Sequence, residues 1–92
     1  MNRWDRLRAY QAVPLQARHI EFEPLLTGQL IVRFPKVPTV NRELVVEHGA
    51  QWSRAWSGYL VPLENAEGMR ARVPAWDREI ASDRARRLTA AA

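Results

Sequence analysis

The segment from Gly49 to Pro62 constrains the fold more than any other part of the chain. It reads Gly-Ala-Gln-Trp-Ser-Arg-Ala-Trp-Ser-Gly-Tyr-Leu-Val-Pro, with short apolar runs on either side of small and polar residues. Such a pattern is typical of a β-hairpin. Antiparallel pairing places Trp52 opposite Tyr59 and leaves Trp56 at the tip of the turn. We therefore predict that the first two rings form a buried cross-strand pair and that Trp56 is exposed.

The other strand and helix signals extend this hairpin into a small mixed fold. Alternation of apolar and polar residues predicts strands at 19–23 and 30–34, which we expect to pair antiparallel. Helices are predicted at 2–12, from Thr39 or Asn41 to about His48, at 64–72 and at 76–88. Gly49 is expected to end the second helix in a left-handed conformation, and Pro74 to separate the last two. This order predicts an α+β fold, a mostly antiparallel sheet of two hairpins with helices packed on one face.

Length and composition limit the architecture further. The chain has 92 residues, of which 47% are hydrophobic, and we expect one small domain over residues 1–92. Cysteine is absent, which excludes disulfides, thiolate metal sites and cysteine nucleophiles. No apolar run has the length of a membrane span, and the N-terminus is too charged to begin a signal peptide. We therefore expect a cytoplasmic protein without membrane contact.

The residues that catalysis requires are sparse in this sequence. His19 and His48 do not have a zinc-binding spacing, and no glycine-rich phosphate loop is present. Glu21 and Glu23 alternate with an apolar residue as they would on a solvent-facing side of a strand. We therefore predict a protein that is not an enzyme, with no catalytic residue, no metal site and no cofactor.

The basic residues are of a type that binds nucleic acid. The formal net charge is +4, and thirteen of the fourteen basic residues are arginine. The planar guanidinium binds phosphate through paired hydrogen bonds and stacks on bases. Base composition of the source genome explains the same arginine excess, so composition alone does not identify the partner.

The hairpin segment resembles two kinds of small module. Its pattern is Gly-Ala-x-Trp, six intervening residues, an aromatic residue and then x-Val-Pro. Together with the preceding strand and helix, it is similar to the HARP domain of annealing helicases and to segments ahead of phage and bacterial DEAD/DEAH-type helicases. It also resembles a small domain attached to plasmid primase and mobilisation proteins. The resemblance covers about residues 29–72, although the turn here carries one cation where those families have a lysine-rich turn.

The resemblance implies contact with DNA, often branched or single-stranded, as an accessory to a motor or a primase. The residues that we expect to meet phosphates are Arg33, Lys36, Arg42 and Arg54. Trp56 is expected to stack on a base, because such stacking tolerates any sequence. A solvated surface charge or a helix salt bridge is the alternative for each arginine, and folding back over the sheet is the alternative for Trp56.

A protein-interaction module is the alternative function, as a phage or bacterial adaptor, an inhibitor or a virion component. Four tryptophans in so short a chain favour it, because tryptophan and arginine dominate binding hot spots. An apolar surface formed by Trp4, Trp76 and Leu88 would then bind a partner or a second copy of the chain. A structural domain separated from a larger enzyme is a third interpretation.

Overall fold

Four helices and one four-stranded sheet make up the computed structural model, which describes residues 2–91. The elements in chain order are α1 (Arg3–Ala12), β1 (Glu21–Pro24), β2 (Gln29–Arg33), α2 (Pro38–His48), β3 (Gln51–Ser53), β4 (Gly58–Pro62), a 3₁₀ turn (Leu63–Asn65), α3 (Ala66–Arg70) and α4 (Val73–Ala91). The predicted α+β class is confirmed. No helix within residues 2–91 combines the length and the apolar character needed to cross a bilayer.

The sheet joins the two predicted hairpins side by side. Its strand order is β1-β2-β4-β3, and every neighbouring pair is antiparallel. The register pairs Phe22 with Val32, Val32 with Tyr59, and Tyr59 with Trp52. These four residues form one row across the sheet on the same face, since directly opposed residues in a ladder point to the same side. The predicted opposition of Trp52 and Tyr59 is confirmed.

The core lies between this face of the sheet and the helices. Leu30 and Val61 of the two central strands are buried, together with Leu44 of α2 and Trp76 and Ile80 of α4. Burial of large apolar side chains such as these stabilises a domain by about 1.5–3 kcal/mol each. The other face of the sheet carries the charged side chains of β1.

The ends of α2 follow from its sequence. Pro38 occupies the first turn, where its fixed φ suits a helix and its missing N–H costs nothing. The Val37 N–H donates to Asn41 Oδ1 at 2.9 Å. The predicted start at Thr39 or Asn41 is therefore wrong, although Asn41 does satisfy a backbone donor at this end. Gly49 has φ of 70° and ends the helix in the left-handed conformation, as predicted.

The last third of the chain differs from the prediction in detail. The predicted helix at 64–72 is a 3₁₀ turn followed by the five-residue α3. Pro74 lies inside the first turn of α4 instead of separating two helices, because a first-turn proline removes no helical hydrogen bond. Trp76 is 1% exposed in the core. It therefore cannot belong to the surface predicted for Trp4, Trp76 and Leu88.

Candidate nucleic-acid interface

Three aromatic rings lie in contact at one end of the helix-covered face of the sheet. The Tyr59 ring is 6.1 Å from that of Phe34 at an interplanar angle of 19°, and 5.3 Å from that of Trp52 at 73°. Asn41 Nδ2 donates to the Tyr59 hydroxyl at 2.7 Å. Because the same Asn41 side chain accepts from the backbone at the start of α2, the central ring is fixed to both the sheet and the helix.

An open cavity of about 420 Å³ lies over these rings, and we call it the aromatic groove. Its lining residues are Arg33, Phe34, Lys36, Asn41, Trp52, Ser57 and Tyr59. The fold thus brings two predicted phosphate contacts, Arg33 and Lys36, next to the aromatic rings. None of the described residues that line the groove is acidic. The aromatic groove therefore offers ring faces and positive charge together.

Trp52 is the most exposed ring of the groove, with 59% of its surface accessible. The prediction that it is buried with Tyr59 is wrong. The pairing is as expected, but β3 is a three-residue strand at the edge of the sheet. Ala50, just before this strand, is buried against the core, whereas the Trp52 indole lies farther along the strand and remains accessible.

Arg33 lies at the rim of the groove and is held by other residues. Its Nη1 donates to Glu21 Oε2 at 2.9 Å and to Glu23 Oε2 at 3.0 Å, and its Nε donates to the Trp56 carbonyl oxygen at 3.0 Å. The hydrogen bonds with Glu21 and then Glu23 raise the pKa of Arg33 above its ordinary value. Arg33 thus connects β1 to the β3–β4 turn, and its first role is to position that turn.

Gly58 makes room for the Arg33 side chain. A Cβ atom at position 58 would lie 2.9 Å from Arg33 Cγ, 3.0 Å from Ile31 Cγ2 and 3.1 Å from the Val32 carbonyl oxygen. Two of these neighbours belong to the packed centre of the sheet and cannot move freely. Glycine is therefore required here by the close approach of β2 and not by its backbone conformation.

The turn between β3 and β4 presents Trp56, as predicted. Its side chain is 44% exposed, and its backbone N–H donates to Ser53 Oγ at 3.4 Å. Ser57 has φ of 50° and donates from its N–H to the Arg54 carbonyl oxygen at 3.3 Å, which closes the turn. Arg54 is exposed within this turn.

The other predicted phosphate contact lies apart from the groove. Arg42 is exposed on α2, directly after Asn41, but it is not among the residues that line the aromatic groove. The predicted set therefore divides into two residues in the groove, two in the adjacent turn and one on the helix. The sequence analysis did not predict that Trp52, Phe34 and Asn41 line this groove.

A second aromatic cluster, which we call the Trp76 cluster, lies between α2 and α4. Trp76 Nε1 donates to Glu43 Oε2 at 2.8 Å, and Arg72 donates to both oxygens of that carboxylate at 2.8 and 3.1 Å. The His48 ring meets the Trp76 ring edge-on at 5.4 Å. The hydrogen bonds from Arg72 and, to a smaller extent, from Trp76 lower the pKa of Glu43. The Trp76 indole N–H, the Glu43 carboxylate and the Arg72 guanidinium satisfy one another, so this cluster is structural.

Comparison of the chain with protein families, with curated proteins and with solved structures gives no match. Within residues 2–91, no three acidic or histidine side chains converge in a way that could hold a metal ion. Function is therefore inferred from the aromatic groove and the charges around it.

Proposed function

We propose that this chain is a nucleic-acid-binding accessory module that contacts single-stranded or branched DNA in phage or mobile-element DNA metabolism. The observation that carries the proposal is the aromatic groove, where the exposed Trp52 ring lies beside Arg33 and Lys36. Proteins that bind single strands without strong sequence preference combine these two features, a cationic groove and aromatic platforms.

The chemistry of the groove suits an unpaired base. Stacking on an aromatic side chain contributes about 1–3 kcal/mol per base and needs a base whose face is free, which a continuous duplex does not offer. Trp52 supplies the accessible ring, and the fixed Tyr59 ring supports it from the side. Lys36 supplies a charge for the adjacent phosphate, while Arg54 and Trp56 extend the contact surface along the turn.

The resemblance to HARP-like modules supports the same proposal. The strand, helix, glycine and hairpin on which it rests correspond to β2, α2, Gly49 and β3–β4. If the resemblance holds, the chain assists a separate helicase or primase and performs no chemistry of its own.

Tryptophan fluorescence titration tests the proposal. Single-stranded and forked oligonucleotides are titrated into the protein at about 50 and 200 mM salt. We expect quenching of the exposed indoles, tighter binding to unpaired than to fully duplex DNA, and a steep loss of affinity at the higher salt as counterion release predicts. An unchanged spectrum at the lower salt, with every oligonucleotide, would reject DNA binding.

Protein interaction remains the second candidate, favoured by exposed apolar side chains on the first and last helices. Trp4 is 50% exposed and Leu88 is 65% exposed. Sedimentation velocity separates this function from the first. A dimer that Trp4→Ala dissociates would support a protein interface, whereas a concentration-independent monomer that binds oligonucleotides would favour the aromatic groove.

A further inference from the structure

We propose that a second cleft, beside the aromatic groove, binds another phosphate of the same strand. This inference rests on the proposed function. The cleft has a volume of about 680 Å³, and its lining includes Arg18, His19, Glu21, Arg33, Phe34 and Arg84. We call it the arginine cleft. Arg33 and Phe34 also line the aromatic groove, so the two depressions are neighbours around one end of the sheet.

The backbone that carries the cleft is anchored to the core. The His19 N–H donates to Asp77 Oδ1 of α4 at 2.7 Å, and the next residue, Ile20, is buried. On α4, the buried Ile80 precedes Arg84 by one helical turn on the same side of the helix. Arg18 and Arg84 are therefore exposed side chains on rigid supports, which suits a binding site better than mobile termini do.

The charge in the cleft favours an anion. Glu21 is the acidic residue of the lining, and its carboxylate already accepts from Arg33 Nη1 at 2.9 Å. Among residues 2–91, neither Arg18 nor Arg84 forms a salt bridge. Arg18 and Arg84 are thus two guanidinium groups of the lining without a carboxylate partner among these residues, whereas Glu21 and Glu23 share Arg33, and a phosphodiester matches the guanidinium geometry.

A contact from α4 places Arg87 near the aromatic groove, where its Nε also pairs with Asp83 Oδ2 at 2.8 Å. Arg87 Nη2 donates to the Lys36 carbonyl oxygen at 3.3 Å, which holds the end of α4 near the rim of the aromatic groove. A strand whose base stacks on Trp52 can pass Phe34 and place its next phosphates against Arg84 and Arg18. The protein would then hold several nucleotides of an unpaired strand.

The test compares two double variants that remove the same amount of charge. R18A/R84A removes the arginines of the cleft, and R8A/R78A removes two exposed arginines that line none of the cavities described above. Binding of an oligothymidylate of about 16 nucleotides is measured by fluorescence anisotropy over a range of salt concentrations. Thermal melts followed by circular dichroism establish that both variants fold.

We expect R18A/R84A to weaken binding on the order of tenfold more than R8A/R78A does. The slope of log affinity against log salt should become shallower by about 1.4, or about 0.7 for each lost phosphate contact. R18K/R84K should restore the slope. Equal losses in the two alanine variants, with the wild type still binding, would overturn the cleft and leave the aromatic groove intact. Absence of wild-type binding would instead reject the proposed function and the cleft together.

Discussion

Trp52 and Trp76 lie in two aromatic clusters that use similar residues in opposite ways. Each indole has a ring neighbour at about 5 Å with an edge-on arrangement, Tyr59 for the first and His48 for the second. Each cluster also contains an arginine. However, Trp76 is 1% exposed and Trp52 is 59% exposed. Trp76 therefore stabilises the fold, whereas the Trp52 ring is accessible to a ligand.

The position of the carboxylates also differs between the two clusters. In the Trp76 cluster, Glu43 accepts hydrogen bonds from both the indole and Arg72, so the donors and the acceptor satisfy one another. At the aromatic groove, the nearby acids Glu21 and Glu23 lie on the opposite face of the sheet, where they bind Arg33. Lys36 is therefore the cation of the groove lining that forms no salt bridge within residues 2–91. The Trp76 cluster thus contains an acid that pairs with its arginine, and the lining of the aromatic groove contains none.

The largest expected difference between the two clusters is the loss of stability when each indole is removed. Trp76→Ala should lower the free energy of unfolding by about 4 kcal/mol, because it leaves a large cavity and removes a donor to Glu43. Trp52→Ala should lower it by less than about 1 kcal/mol, the size of a cross-strand pair at an edge. Urea denaturation followed by circular dichroism measures both. Comparable losses would contradict the division into a structural and an available tryptophan.

Gly58→Ala tests the packing beneath the aromatic groove, on the face of the sheet opposite Tyr59. The added Cβ would lie 3.0 Å or closer to Ile31 and Arg33, which should cost about 2 kcal/mol of stability and displace the arginine that holds the turn. Gly68→Ala is the matched control. A Cβ there meets nothing within 4 Å, and alanine in place of helical glycine should stabilise the protein by about 0.5–1 kcal/mol. Thermal melts with opposite shifts for the two variants are expected, and two shifts of the same sign would contradict this account of the packing.

Binding should depend on Trp52 and not on an equally accessible tryptophan elsewhere. Trp52→Ala should weaken binding of single-stranded oligonucleotides about tenfold, which corresponds to about 1.4 kcal/mol of lost stacking. Trp4→Ala removes an indole that is 50% exposed on α1 and should leave the affinity unchanged. Anisotropy titrations provide the comparison. If the Trp4 variant lost affinity and the Trp52 variant did not, the binding surface would lie on the first helix.

The smallest expected effect is a pH dependence that belongs to the Trp76 cluster. The pKa of Glu43 is lower in the folded than in the unfolded chain, because Arg72 and Trp76 donate to its ionised form. The ionised Glu43 therefore stabilises the fold fully above the unfolded pKa, and this stabilisation is lost as the pH falls through the lower folded pKa. We expect a contribution of about 1 kcal/mol, reduced by the partial exposure of the pair. Stability of Glu43→Gln measured against pH should lack this acid-dependent loss, and an unchanged profile would show that Glu43 does not cause it.

Local patterns in the sequence predicted much of the fold. The spacing of Trp52 and Tyr59 about a turn gave the correct pairing, and Gly49 gave the correct helix end, since both depend on residues close in the chain. The pairing of β2 with β4 was not predicted, because it joins segments about thirty positions apart. That pairing brings Arg33 to the β3–β4 turn and forms the aromatic groove.

Burial of individual tryptophans was harder to predict than the strands that carry them. Trp52 lies on the helix-covered face, and alternation alone predicts that it is buried. Its exposure depends on how far the helices extend over an edge strand, which no local pattern records. Trp76 and Leu88 share a helical spacing, yet only Trp76 donates a hydrogen bond to an acceptor on α2. Arg84 interrupts this apolar spacing, and it lines the proposed arginine cleft.

Nuclear magnetic resonance of the indole N–H groups tests the central claim most directly. The four tryptophans give four indole signals, which single Trp→Phe variants assign. On titration with a single-stranded oligonucleotide at low salt, we predict that the Trp52 signal shifts most, that the Trp56 signal shifts less and that the Trp4 and Trp76 signals stay in place. An unmoved Trp52 signal under conditions where binding is saturated would contradict the aromatic groove as the binding site.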